Sequence, residues 1–184
     1  MSPHPAFVLV GGRSSRMGSD KARLRLQGEA LAQRLAHRLA EAGFGPVCLV
    51  GRDPTLAELG LPLILDADPA APLHPLWGIA AGLRAAQPAP LAFFAPVDLI
   101  GLTAADLAGF SAAAAPCVAV GPDGRRQPLL ALLPTAFAAE AHHLAAAGGA
   151  AHKLVAGLPA LRLSAAALHN ANAPGDLPQA EVEP

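Results

Sequence analysis

The chain has 184 residues, of which 53% are hydrophobic and 15% charged, a balance that gives room for one substantial core and excludes bulk disorder. A formal net charge of -1 excludes the broad basic field that a nucleic-acid partner requires. No apolar stretch reaches the length of a membrane span and no basic segment precedes a long apolar one, so the expectation is a soluble cytoplasmic protein without a membrane partner. Cys48 and Cys117 stand apart in apolar runs, with no C-x-x-C or Cys/His grouping. They read as buried reduced thiols rather than as zinc ligands or a disulfide.

The first element is a continuous apolar strand over residues 6–10, of the kind buried on both faces of a parallel sheet. It stops at Gly11-Gly12, and the polar stretch behind it carries Arg13, Arg16 and Lys21 among three serines. Successive glycines let backbone N–H groups face an anion, and the cations supply charge for a polyphosphate. The spacing matches neither a Walker loop nor the Gly-x-Gly-x-x-Gly dinucleotide turn. Residues 22–26 are expected to be a short extended piece. A helix over 29–42 follows, with Leu31, Leu35 and Leu39 on one face and Gly43 as its stop.

Strand two is expected at 46–50, closed by Gly51, then a turn at 55–58 and strand three at 63–65, with Asp66 at its end. Residues 67–75 carry three prolines and read as loop. A helix over 76–86 leads to strand four at 91–95, which runs out through Pro96-Val97-Asp98. Thr103 and Asp106 form a capping-box pattern for a helix to residue 113. Apolar runs at 116–120 and 128–133, joined across Asp123-Gly124, predict an antiparallel hairpin. Pro134 opens a helix to residue 147; a short helix at 151–156, a strand at 160–163, a turn at 165–168 and a short helix at 174–179 complete the chain, whose last few residues are expected to fray. Strands alternating with helices predict an α/β fold with a mainly parallel sheet, one domain over 1–184.

In open parallel sheets, ligands sit outside the carboxyl ends of the strands, and the 11–21 loop, Asp66 and Asp98 all fall there. Asp98 is the candidate Mg²⁺ ligand, because that ion takes hard oxygen donors and few protein carboxylates beside phosphate oxygens. Lys21 and Arg16 could neutralise charge on a phosphorus centre and its leaving pyrophosphate. Asn170 and Asn172 stand on a segment expected to be extended, and one of them could face the site. His142, His143 and His152 read as packing or surface residues, and Arg125-Arg126-Gln127 as a solvated hairpin tip.

Taken together these motifs resemble one family. Val8-Leu-Val-Gly-Gly-Arg-Ser-Ser-Arg-Met-Gly-Ser-Asp-Lys-Ala22 is similar to the N-terminal signature of molybdenum cofactor guanylyltransferases, L-A-G-G-x-S-x-R-M-G-x-D-K-A. Leu65-Asp66, Pro75-Leu-Trp-Gly-Ile79, Phe94-Ala-Pro-Val-Asp98, Arg126-Gln-Pro-Leu129 and Asn170-Ala-Asn-Ala-Pro174 resemble its later segments in the same order. The resemblance implies a Rossmann-like three-layer α/β/α nucleotidyltransferase fold and Mg²⁺-dependent transfer of GMP from GTP to the phosphate of molybdopterin or its molybdenum form, with cofactor-delivery proteins as further partners. By position it implies nucleotide contacts from Leu9, Val10, Gly11, Gly12, Arg13, Lys21, Asp66 and Asp98, with Asp98 also on the metal. It puts Arg16 with Lys21 at the triphosphate, and Asn170 and Asn172 near the pterin. Three positions depart from the family pattern: Leu99-Ile100 where members commonly continue D-x-P, His74 in place of a glycine, and Val50-Gly51 where some members carry asparagine. A cytidylyltransferase acting on the same pterin, and a non-catalytic nucleotide-binding delivery protein, remain alternatives; Gly11-Gly12-Arg13 favours the guanylyl side.

Overall fold

A computed structural model of the chain describes residues 3–10, 21–66 and 71–171. Gly11, Gly12, Arg13, Arg16, Asn172 and the helix expected at 174–179 lie outside the described residues. The strands are β1 (Ala6–Leu9), β2 (Arg25–Leu26), β3 (Glu29–Ala30), β4 (Val47–Gly51), β5 (Leu63–Leu65), β6 (Leu91–Pro96), β7 (Cys117–Val120), β8 (Arg126–Pro134) and β9 (Ala160–Arg162). Four helices run between them: α1 (Leu31–Glu41), α2 (Pro75–Ala85), α3 (Ala104–Ser111) and α4 (Ala138–Ala146).

Seven strands make one sheet in the order β5-β4-β1-β6-β8-β7-β9. Every pairing is parallel except those of β8 with β6 and β7, so a single strand runs against the rest. The expected mainly parallel sheet and its antiparallel hairpin are both present. The chain winds outward from β1 through β4 to β5, then returns to the other side of β1 as β6. That reversal of direction beside β1 opens a crevice at the carboxyl ends of β1 and β6, where open α/β sheets receive ligands.

The alternation of side chains along each strand builds a core on both faces. Ala6, Val8, Phe93, Ala95, Leu130 and Leu132 pack with Leu31, Leu35, Leu39, Leu107 and Phe110 from α1 and α3. Phe7, Leu9, Ala92, Phe94, Ala131 and Leu133 pack with α2 and α4 through residues such as Leu76, Ile79, Leu83 and Ala141. Stacked Phe44–Phe93 and Phe7–Phe94 pairs, at 4.6 and 5.2 Å, centre the two layers. Each fully buried Phe or Leu contributes about 1.5–3 kcal/mol of transfer free energy, which offsets the small yield of the many alanines. The outcome is three layers, helices on both sides of a sheet.

Local departures from the expected elements have identifiable causes. Lys21–Arg23 is a 3-10 turn, and Arg25–Leu26 pairs with Glu29–Ala30 across a Gln27-Gly28 turn with positive φ at both residues. The helix expected from residue 29 therefore starts at Leu31, because Glu29 and Ala30 are held in that small ribbon. Pro134 ends β8 rather than opening a helix; its carbonyl side turns through Thr135–Phe137 before α4 begins. Arg126, expected to be solvated, is half-buried and donates from Nη1 to the carbonyls of Val155 and Leu158, at 3.2 and 2.8 Å. Its long side chain lies under the 151–158 segment, and the tip of the hairpin proper is the exposed Asp123-Gly124-Arg125. Cys117 is buried and Cys48 half-buried, neither is in a disulfide, and burial pushes both thiols up from their ordinary pKa. No helix among the described residues is long and apolar enough to cross a membrane.

One close approach locks the crevice loop to the end of the described chain. A Cβ added to Gly101 would overlap the Ala166 carbonyl oxygen, and the Gly101 N–H donates to the His169 carbonyl at 3.4 Å. Because the obstacle is backbone, it cannot swing aside. Gly101→Ala is expected to cost about 1–3 kcal/mol, which for a chain of this size lowers Tm by roughly 2–4 °C per kcal/mol. Thermal unfolding of the variant checks this; an unchanged Tm would show that the 166–169 backbone yields without cost.

Candidate nucleotide-binding site

Asp98 stands two residues beyond β6, and three other parts of the chain hold its loop. The Val97 N–H donates to the Leu9 carbonyl at 3.2 Å, which ties the loop to the end of β1. The Asp98 carbonyl accepts from the Ala171 N–H at 2.9 Å, and Leu99 forms an antiparallel bridge with Asn170. From α1, Arg38 donates through Nη1 to the Ile100 carbonyl at 2.9 Å. Burial lowers the pKa of that guanidinium from its ordinary value, with Arg34 adding to the effect. Ile100, which stands where the family pattern has proline, donates its own N–H to the Asp98 carbonyl at 3.0 Å. A hydrogen bond that proline could not make thus closes the turn that a proline ring would otherwise restrict.

Lys21 reaches this loop from the other side of the crevice. Its Nζ donates to the Ala171 carbonyl at 2.8 Å and lies 3.5 Å from Asp98 Oδ2. The two side chains are only 19% and 26% exposed, so the pair is partly desolvated yet open to a ligand. The structure brings Lys21, Asp98 and the backbone of Asn170 and Ala171 together. Asn170 is exposed beside them.

The end of β1 adjoins them through backbone. The Val10 N–H donates to the Val50 carbonyl at 3.0 Å, so the hydrogen-bonding groups of Leu9 and Val10 are already partly engaged by the sheet. Gly51 is constrained here: a Cβ would fall 2.9 Å from Val10 Cγ2 and 3.3 Å from its carbonyl oxygen. An asparagine at this position would therefore press on Val10, chiefly on its side chain. His74, replacing the family glycine, caps α2, its Nδ1 accepting the Leu76 N–H at 3.2 Å.

Asp66, at the end of β5, is 10% exposed and is paired with Arg52 at the end of β4. Arg52 Nε donates to Asp66 Oδ1 at 3.0 Å, while Nη1 and Nη2 donate to the carbonyls of Ala71 and Pro72 at 2.6 and 3.2 Å. Burial pushes the Asp66 carboxyl above its ordinary pKa, opposed by the charge and hydrogen bond of Arg52. Sequence reasoning missed Arg52 and gave Arg38 no role. The available signal for Arg52 was its place, directly after a parallel strand; for Arg38 there was none, since its partner is 62 residues away.

The fit to a divalent cation is that of a shared site. Among the described residues no three His, Cys, Asp or Glu side chains converge. Asp98 offers one hard carboxylate, which suits a cation that takes its remaining donors from phosphate and water.

The MobA-like NTP transferase domain family matches residues 6–166. A molybdenum cofactor guanylyltransferase of Cereibacter sphaeroides is 36% identical over 188 residues, covering 95% of this chain and 94% of that protein. A probable molybdenum cofactor guanylyltransferase of Opitutus terrae is 44% identical over 101 residues, 53% of this chain, and the match spans 49% of that protein's length. The solved molybdopterin-guanine dinucleotide biosynthesis protein A from Archaeoglobus fulgidus has the same fold, with a TM-score of 0.71 at 22% identity and 96% coverage of both chains. With a family match over nearly all the strands and helices described above, and a relative of this identity along almost its whole length, the chain belongs to the MobA-like NTP transferase family.

Proposed function

We propose that this protein transfers GMP from GTP to the phosphate of molybdopterin, or of its molybdenum form, in the cytoplasm, releasing pyrophosphate. The observation that carries this reading is the meeting of Lys21, Asp98 and the 170–171 backbone at the crevice beside β1. An oxygen of the acceptor phosphate attacks the α-phosphorus of GTP. One P–O bond forms there as the bond to the β-phosphate bridging oxygen breaks, and the electron pair leaves on pyrophosphate. The acceptor is already an anion, so no general base is needed; alignment and charge neutralisation are what the protein must supply.

In this reading Lys21 binds the phosphates, with Arg16, and Gly11, Gly12 and Arg13 brace them through the same loop. Leu9, Val10 and Asp66 contact the nucleoside. Asp98 would hold Mg²⁺, whose chemistry is to neutralise charge on the phosphate oxygens. The link from Ala171 to both Lys21 and Asp98 supports placing Asn170 and Asn172 at the acceptor. Cofactor-delivery proteins would then receive the product.

The test is pyrophosphate release with molybdopterin and Mg²⁺, with GTP and CTP in parallel. The expected result is release with GTP, at least about tenfold over CTP, a difference worth ~1.4 kcal/mol. Preference for CTP would overturn the base assignment. Release with neither would overturn the catalytic reading in favour of a binding role.

A further inference from the structure

Arg52 lies outside every motif by which the family resemblance runs, yet its side chain joins three separate partners at the carboxyl ends of β4 and β5. Its side chain is only 19% exposed, and its guanidinium spends three N–H directions on three separate partners, Asp66 Oδ1 and the carbonyls of Ala71 and Pro72. The latter two are on the far side of residues 67–70 from Asp66, so one planar fork spans that stretch of chain. Pro72 is held a second time, by Trp77 Nε1 of α2 at 3.1 Å. The Asp66 backbone is fixed as well, its N–H donating to the Gly51 carbonyl at 3.0 Å.

Among the described residues this leaves one carboxylate oxygen. Among the described residues no donor reaches Asp66 Oδ2. It faces the first turns of α2, where a Cβ built on Gly78 would lie 3.9 Å from it and within 3.3 Å of Leu9 and Val50 side-chain carbons. The acceptor therefore sits at an apolar wall against the end of β1. The exposed large hydrophobic side chains among the described residues are Leu65 and Leu73, at 54% and 58%, and each is the chain neighbour of a residue Arg52 holds. An ionised carboxylate accepts only, so its match is a donor group of a flat, partly apolar ligand.

We propose that Arg52 is a positioning residue for nucleotide recognition: it engages one oxygen of Asp66 so that the other is presented to a donor group of the nucleoside, and sets Ala71 and Pro72 in register with it. This rests on the nucleotidyl-transfer reading above. A lysine could keep the charge but not the fork, since its single ammonium cannot reach three partners in one plane. The wild-type chain retains a partly desolvated carboxylate here against the cost of burial, which is expected where the group is used in binding.

The experiment is a double-mutant cycle of Arg52→Gln and Asp66→Asn, with Arg52→Lys as the conservative variant. It is run with whichever nucleoside triphosphate the wild type turns over. Each single change is expected to raise the nucleotide KM about tenfold, the scale of one charge-assisted hydrogen bond, with kcat within about threefold. The double variant is expected to be no worse than the worse single one, and Arg52→Lys to resemble Arg52→Gln. Independent, multiplying effects would overturn the proposal, as would a lowered Tm with KM unchanged in either Arg52 variant. A wild type that turns over no nucleoside triphosphate would instead overturn the functional reading on which it rests.

Discussion

Asp98→Ala is expected to abolish nucleotidyl transfer, lowering kcat by at least about 10³-fold, on the scale of several kcal/mol for losing the carboxylate proposed to hold the metal, at ~1.4 kcal/mol per tenfold. The fold is expected to survive. Among the described residues the only side-chain partner of Asp98 is Lys21, at 3.5 Å, and a partly exposed ion pair contributes about 0–1 kcal/mol. The contacts that hold the loop use backbone: the Asp98 carbonyl to Ala171, the Val97 N–H to Leu9, and the Ile100 carbonyl to Arg38. None of these is removed with the carboxylate. Pyrophosphate release together with a thermal melt separates the two quantities. Asp98→Asn, which keeps shape and loses charge, is expected to be nearly as inactive. Full activity of either variant with Mg²⁺ would remove Asp98 from the mechanism.

How much of this was legible beforehand divides along a physical line. The strands of the parallel half were visible because both faces are buried, so Ala6 to Leu9 and Leu91 to Ala95 read as unbroken apolar runs. Their carboxyl ends carried the site candidates, and the crevice follows from topology once those strands are placed. What was not visible depends on contacts far apart in sequence. Arg38 appears from its helix to be a polar-face residue, and only the fold brings it to Ile100. Arg126 has the same character, being solvated by composition and half-buried by its bonds to the carbonyls of Val155 and Leu158. The start of α1 was misplaced for a local reason instead: Gln27 and Gly28 both take positive φ, a turn that pairs Arg25–Leu26 with Glu29–Ala30 and delays the helix. A short two-residue ribbon has no periodicity to read.

Arg52 illustrates the same division within the site. Asp66 is a candidate because a carboxylate at a strand end is conspicuous and matches a family segment. The residue that determines which of its oxygens is available was silent, because its three acceptors are one side chain and two carbonyls, 14 to 20 residues downstream. Backbone acceptors leave no mark in a sequence. Most side-chain hydrogen bonds go to backbone or water rather than to other side chains, so a donor that organises a loop through carbonyls has no partner residue type to mark it.

Lys21→Met is expected to lower kcat/KM by about 10²–10³-fold, the range for removing one preorganised group that stabilises transition-state charge. The reason lies in where Nζ sits. It is 2.8 Å from the Ala171 carbonyl and 3.5 Å from Asp98 Oδ2, so the cation is held between the loop that would carry the metal and the segment assigned to the acceptor. Charge builds on the leaving pyrophosphate as the bridging bond breaks, and a fixed ammonium meets that charge without reorganising. Most of the loss should therefore appear in kcat, in contrast with Arg52→Gln, where it should appear in the nucleotide KM. Methionine keeps the length and apolar stem, so packing of the Lys21–Arg23 turn is retained. Lys21→Arg keeps the charge but replaces one compact ammonium by a larger planar fork with different donor directions, and is expected to recover only part of the rate. Steady-state kinetics with both substrates varied checks the partition. A loss confined to nucleotide KM would make Lys21 a binding group that acts equally in the ground and transition states.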